Sequence, residues 1–100
     1  MTKNHADQTV VVEFTGSQTI ARAEEARQRL LEALSKGAGL TIDCHGMEEC
    51  DLTFLQILMA TRQSCIADNR SLNLVGSPAL AAACLAAGVD MAVLVTSKGE

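Results

Sequence analysis

A chain of 100 residues makes one domain with a modest single core, and 48% hydrophobic content without Trp or Tyr leaves that core to Leu, Val, Ile, Ala, Met and Cys. The net charge of −4, with eight scattered Lys and Arg residues, argues against nucleic acid as a partner, because neutralising phosphates needs a concentrated basic surface. No apolar run approaches the roughly 18 residues of a membrane span, and Met1-Thr2-Lys3-Asn4-His5 lacks the apolar centre of a signal peptide, so a cytoplasmic location without membrane insertion is expected.

Residues 1–7 are polar and are expected to fray. Thr9-Val10-Val11-Val12-Glu13-Phe14 is β-branched and continuous enough for a buried strand, closed by the turn residues Thr15-Gly16-Ser17. Any antiparallel partner would have to come from Ala6 to Gln8. From about Gln18 to Ser35 the pattern is helical, with Ile20, Ala23, Arg27, Leu30, Leu31 and Leu34 on one face and Arg22, Glu25, Gln28, Arg29 and Glu32 on the other. Ser17 or Thr19 would cap this helix, and Lys36-Gly37-Ala38-Gly39 would end it. Arg27 interrupts the apolar face; its stem can follow the core edge while the guanidinium reaches water, so it is given no function.

The apolar strand Leu40-Thr41-Ile42 leads through a polar loop, Asp43 to Leu52, into a helix of about 54–68. Open α/β sheets place their sites in loops at the carboxyl ends of strands. Thr53 stands where the helix begins, and two readings of it compete. With Gln56 three residues on, it makes a Thr-x-x-Gln capping box worth about 1 kcal/mol. Alternatively it is a phosphoacceptor, and roughly two added negative charges switch partner binding. The periodicity turns Phe54, Leu58, Thr61 and Cys65 inward, flanked by Leu55 and Ile57. The other side shows Gln56, Ala60, Gln63 and Ala67, edged by Met59. So little charge is either an ordinary solvated surface or a face on which a protein docks.

Asp68-Asn69-Arg70-Ser71 turns into the strand Leu72-Asn73-Leu74-Val75. Ser77 as N-cap and Pro78 at the first helical position then start a helix of 78–87, ended by Gly88. That helix is apolar all round, and Leu85 opposite Leu80 points to a surface for a partner or for self-association as a weak homodimer. Met91-Ala92-Val93-Leu94-Val95 reads as a last strand and 96–100 as a short tail. Strands alternating with helices imply an α/β sandwich of four to five strands, mostly parallel or mixed, with three to four helices and right-handed crossovers.

The four cysteines lack the Cys-x-x-Cys spacing of metal or redox sites and read as reduced, small buried hydrophobes. Cys44 and His45 are strand neighbours that point to opposite faces, so they do not share a metal. After the first strand, Thr15-Gly16-Ser17 stands where a phosphoreceiver would need an acidic cluster, and no Gly-x-x-x-x-Gly-Lys phosphate loop occurs. No catalytic residues, metal ligands or cofactor are therefore assigned, and the chain reads as a non-catalytic protein.

The element order and the stretch from Asp43 to Leu55 resemble the STAS domain family, the fold of bacterial anti-sigma-factor antagonists and of sulfate-transporter tails. Its signature is a strand ending near Asp-Leu-Ser-Gly-Val, followed by Asp-Ser-Ser-Gly-Leu opening a helix. Asp43 and Gly46 match the first part; Asp51, Thr53 and Leu55 match the second. Val75-Gly76-Ser77-Pro78 and Leu85-Ala86-Ala87-Gly88-Val89-Asp90 resemble the later turn and helix ending, so the resemblance spans about residues 9–95.

The resemblance implies a stand-alone bacterial antagonist. It would be phosphorylated on Thr53 by a serine/threonine kinase or anti-sigma factor with an ATP-binding fold, which docks around 47–60 through Asp51, Leu52, Gln56, Met59, Ala60 and Gln63. Two departures stand out. Leu52 replaces a hydroxyl residue, and Phe54 replaces a Gly that lets a kinase backbone approach. Phe54 is either a core plug that leaves Thr53 accessible or a sign that only binding is kept. The alternative role is an unphosphorylated subunit of a transporter ATPase or of a chemosensory or stress-signalling assembly.

Overall fold

In the computed structural model, residues 9–36, 39–90 and Leu94 are described. Three parallel strands form the main sheet: β1 (Thr9–Glu13), β3 (Gly39–Asp43) and β5 (Leu72–Val75), in the order β1-β3-β5. The register places Val12 beside Ile42 and Ile42 beside Leu74. Val12, Leu40, Ile42 and Leu72 are buried on one face of the sheet, whereas Val11 on the other face is 62% exposed, so β1 is a one-sided edge strand and not the continuously buried one that its β-branched run suggests. Parallel pairing requires a crossover between consecutive strands, and α1 (Ala23–Leu34) and α2 (Leu52–Ala67) supply the two that are needed.

Two short strands were not expected. β2 (Gly16–Gln18) and β4 (Met47–Cys50) pair in parallel, where the sequence suggests a turn and a polar loop. Neither Gly-Ser-Gln nor Met-Glu-Glu-Cys has a β-branched residue or an alternating pattern, so no local signal marks them. Long-range contacts impose the pairing instead: Gly16 N–H donates to the Gly46 carbonyl at 3.2 Å and Ser17 Oγ to Glu49 Oε1 at 2.6 Å. Gly16 has φ +68°, the left-handed region that glycine enters without cost.

The first helical segment also differs from expectation. It opens as a 3-10 turn, Ile20–Arg22, whose N-cap Thr19 makes no side-chain bond, and α1 follows. The buried face is Ala26, Leu30 and Ala33, while Ile20 is 71% exposed and Leu31 also lies outside. Arg29, expected in solvent, lies over the Phe14 ring at 4.7 Å as a cation–π contact. The helix ends at Ser35, whose N–H bonds to the Leu31 carbonyl; the proposed glycine ending falls partly on residues 37–38, outside the described residues.

In α2 the buried set is Phe54, Leu58, Thr61 and Cys65, as the periodicity predicts, together with Leu55, expected only to flank them. The C-terminal turn contains Asn69 at φ +59°, and Arg70 reaches back to the Leu34 carbonyl, fixing the end of α1. The helix α3 (Pro78–Ala87) has the foreseen ends: Ser77 Oγ accepts from Leu80 N–H at 3.1 Å, Pro78 opens the first turn, and Gly88 closes it at φ +73°. The strand expected over 91–95 lies outside the described residues except for Leu94, which is helical and buried. A partner strand near Ala6 to Gln8 is likewise outside them.

At the centre the Phe14 and Phe54 rings meet edge to face, 5.1 Å between centroids and 75° between planes. Phe54 is 2% exposed, so the residue that replaces the family's Gly is a core plug.

Candidate functional site

The end of β4 feeds directly into α2, and one carboxylate organises the junction. Asp51 has extended backbone and is the N-cap of α2; its Oδ1 accepts from Phe54 N–H at 3.2 Å. Its Oδ2 accepts from Ile20 N–H at 2.9 Å, so the same side chain ties the 3-10 turn before α1 to the start of α2. A helix start leaves N–H groups without partners, and an acidic cap also meets the positive end of the helix dipole.

Thr53 is therefore not the cap. It is the second residue of α2, half-buried, and the Thr-x-x-Gln box does not form because Asp51 already occupies the capping position. Relieved of that duty, Thr53 lines a groove between α1 and α2.

The groove has a volume of about 270 Å³ and is lined by Leu30, Leu31, Leu34, Ile57 and Ala60 among others, with Arg27 as its one charged side chain. Of the residues proposed to bind a partner, Leu52, Gln56, Met59, Ala60 and Gln63 are all exposed on α2, whereas Asp51 is half-buried in its capping role. Leu52 is 52% exposed. Gln56 and Ala60 also line the groove, so the α2 face and the groove form one continuous surface.

Sequence reasoning missed what α1 adds. The periodicity puts Leu31 on the apolar core face and the Arg27 stem along the core edge, yet both line this groove. One signal was available: Leu30 and Leu31 stand about 100° apart on a helix, so a narrow core face cannot take both. Ile20 gave no such signal, because its place beside the α2 start depends on Asp51.

Elsewhere the cysteines behave as small hydrophobes. All four are free; Cys44, Cys65 and Cys84 are buried. Burial pushes the Cys44 thiol up to about 12 and the Cys50 thiol up to about 11, with neighbouring thiol and carboxylate groups adding to the effect, so neither is a ready nucleophile.

Cys44 is buried and His45 exposed, but both lie past the end of β3, His45 in a turn, so they are not the strand neighbours expected. His45 instead turns to Asp43, with Nδ1 2.9 Å from Oδ1. The same oxygen accepts from His45 N–H at 3.0 Å. The backbone bond first, and the side-chain bond next, hold the Asp43 carboxyl below its usual value, while the Asp43 side chain raises the imidazole. Glu13 joins them across the β1–β3 register, and one ligand atom from each residue lies within 4.8 Å of the others. Only the β1–β3 register, not sequence proximity, brings Glu13 to this pair. Glu13 and His45 are exposed, and the hydrogen bonds account for the closeness of His45 and Asp43 without an ion.

Among the described residues no helix is long and apolar enough to cross a membrane. A family model described as "Mlab, STAS domain" matches residues 1–96. No curated protein and no solved structure matches the sequence.

Proposed function

The chain belongs to the STAS domain family, whose members are generally protein-binding modules, and from that premise we propose a regulatory docking protein of the anti-sigma-antagonist kind. The partner, a serine/threonine kinase or an anti-sigma factor with an ATP-binding fold, sits on Leu52, Gln56, Met59, Ala60 and Gln63 and on the groove beside them. Thr53 is the switch: the γ-phosphoryl group of ATP moves to its Oγ1, the hydroxyl proton leaves and ADP is released.

The observation that carries this reading is the α2 surface itself. Leu52, Gln56, Met59, Ala60 and Gln63 are exposed without a single charge among them, next to an apolar groove, and the capping work that would otherwise explain Thr53 is done by Asp51. A low-charge face with large apolar side chains is what the centre of a protein interface requires. A phosphate of about −2 charge placed there would desolvate poorly and oppose docking.

A second reading is favoured by one feature. Thr53 is half-buried, so a kinase has restricted access to its hydroxyl. In that reading the same surface docks permanently, as a subunit of a transporter ATPase or a signalling assembly. Phosphopeptide mapping of the protein from its native cells, with and without stress, separates the two. Phosphate on Thr53, with partner binding kept by Thr53→Ala and lost by Thr53→Asp, supports the switch. Unmodified Thr53 under every condition overturns the switch and leaves the permanent subunit.

A further inference from the structure

We propose that Arg27 is the internal counter-charge for a phosphate on Thr53, so that modification draws the guanidinium across the α1–α2 groove and fills it. The inference rests on Thr53 being the acceptor.

Geometry comes first. Each of α1 and α2 connects two strands of one parallel sheet, so the two helices run in the same direction. Their groove-lining residues can then be matched by level. Arg27 is the first lining residue of α1 and Thr53 the first of α2, whereas Leu34 and Ser64 are the last. Arg27 and Thr53 therefore stand at the same end of the groove, the one on α1 and the other on α2. Among the described residues that line the groove, Arg27 is the ionisable one.

Chemistry follows from this placement. Arg27 Nε lies 3.6 Å from Glu24 Oε1, and both side chains are more than half exposed. Such pairs are weakly held and easily exchanged. Glu24 also accepts from Gln28 Nε2 at 3.0 Å, so it keeps a donor when Arg27 leaves. A phosphate presents three acceptor oxygens and nearly two charges, and a guanidinium grips such a group through two parallel N–H bonds. Walls of leucine, isoleucine and alanine strengthen the attraction between the two charges once they meet. The consequence for docking is double: the face acquires charge, and the groove beside it is blocked by Arg27.

The test uses the full chain with phosphothreonine installed at position 53 by genetic code expansion, so no kinase is needed. The readouts are the second ionisation of the phosphate by ³¹P NMR and the Arg27 Nε–H resonance. In the wild-type background the phosphate is expected to ionise at a pH about half a unit lower, roughly a threefold change, than in Arg27→Gln.

Arg27→Lys should restore only part of that shift, because an ammonium lacks the planar fork, and Arg62→Gln, outside the groove, should leave it unchanged. Equal ionisation in wild type and Arg27→Gln, with an unmoved Arg27 resonance, overturns the proposal. A positive result beside unmodified Thr53 in native cells would retire the switch but establish the pairing; a negative result beside phosphorylated native protein would retire Arg27 alone.

Discussion

Helices α2 and α3 are both apolar on almost every side, yet they use that character differently. In α2 five residues are buried, and large side chains remain outside, Leu52, Met59 and Ile66. In α3 only Leu80 and Cys84 are buried; the outer positions are mostly alanines, with Leu85 alone at 84% exposure. Alanine offers little area to a partner, whereas a row of large side chains beside a groove offers a pocketed surface. The two helices also start differently. The cap of α3 is local, Ser77 three residues before Leu80, while the cap of α2 is shared with Ile20. Apolar content thus distinguishes nothing by itself; side-chain size and the neighbouring element decide which helix can dock.

The strongest test of α2 as a core element is Phe54→Ala. It removes half of the Phe14–Phe54 contact and should cost about 3–5 kcal/mol, read by urea denaturation. Next, Asp51→Ala should cost about 1–2 kcal/mol because two N–H donors lose their acceptor, whereas Thr53→Ala should cost less than about 0.5 kcal/mol. Equal losses for the two would show that Thr53 shares the capping.

The docking comparison is sharpened by Leu52→Asp and Leu85→Asp. The first should weaken partner affinity about tenfold or more, equivalent to about 1.4 kcal/mol, with unchanged thermal stability; the second should leave partner binding intact. Sedimentation of Leu85→Asp addresses self-association through α3, and a monomer in both proteins would end that idea.

The smallest effect concerns the exposed His45–Asp43 pair. Because the imidazole pKa is raised, its contribution to stability is present below the ordinary value of 6.5 and is lost as pH rises through the raised value. The carboxyl pKa is lowered, so its contribution is present above the ordinary 3.8 and is lost as pH falls through the lowered value. The stability difference between wild type and His45→Gln should therefore be greatest near about pH 5.5 and fade toward about pH 9. An NMR titration of His45 with a midpoint at or below 6.5 would contradict the pairing.

What was legible in the sequence was whatever leaves a local mark. The β-branched run of β1, the inward face of α2 and the Ser-Pro start and Gly stop of α3 each carry their signal within a few residues, and each is where it was expected. The strands β2 and β4 carry none, because their pairing depends on a partner about 30 residues away in the chain. The cap of α2 is likewise set at long range. Asp51 and Thr53 are both good caps, two residues apart, and what tips the choice toward Asp51 is the Ile20 N–H, 31 residues distant. Arg27 was visible as an interruption of an apolar face, but the groove that gives it meaning needed α2 beside α1.

The double bond of Asp51 makes Ile20 a built-in reporter. Its side chain is 71% exposed, so an amide there would ordinarily exchange its proton with solvent quickly, yet its N–H is held by a carboxylate at 2.9 Å. The exchange rate of that single amide therefore measures how often the α2 start lets go of the turn before α1. A partner clamping this junction would slow it, and a partner prying the junction apart would speed it, without any label being added to the protein.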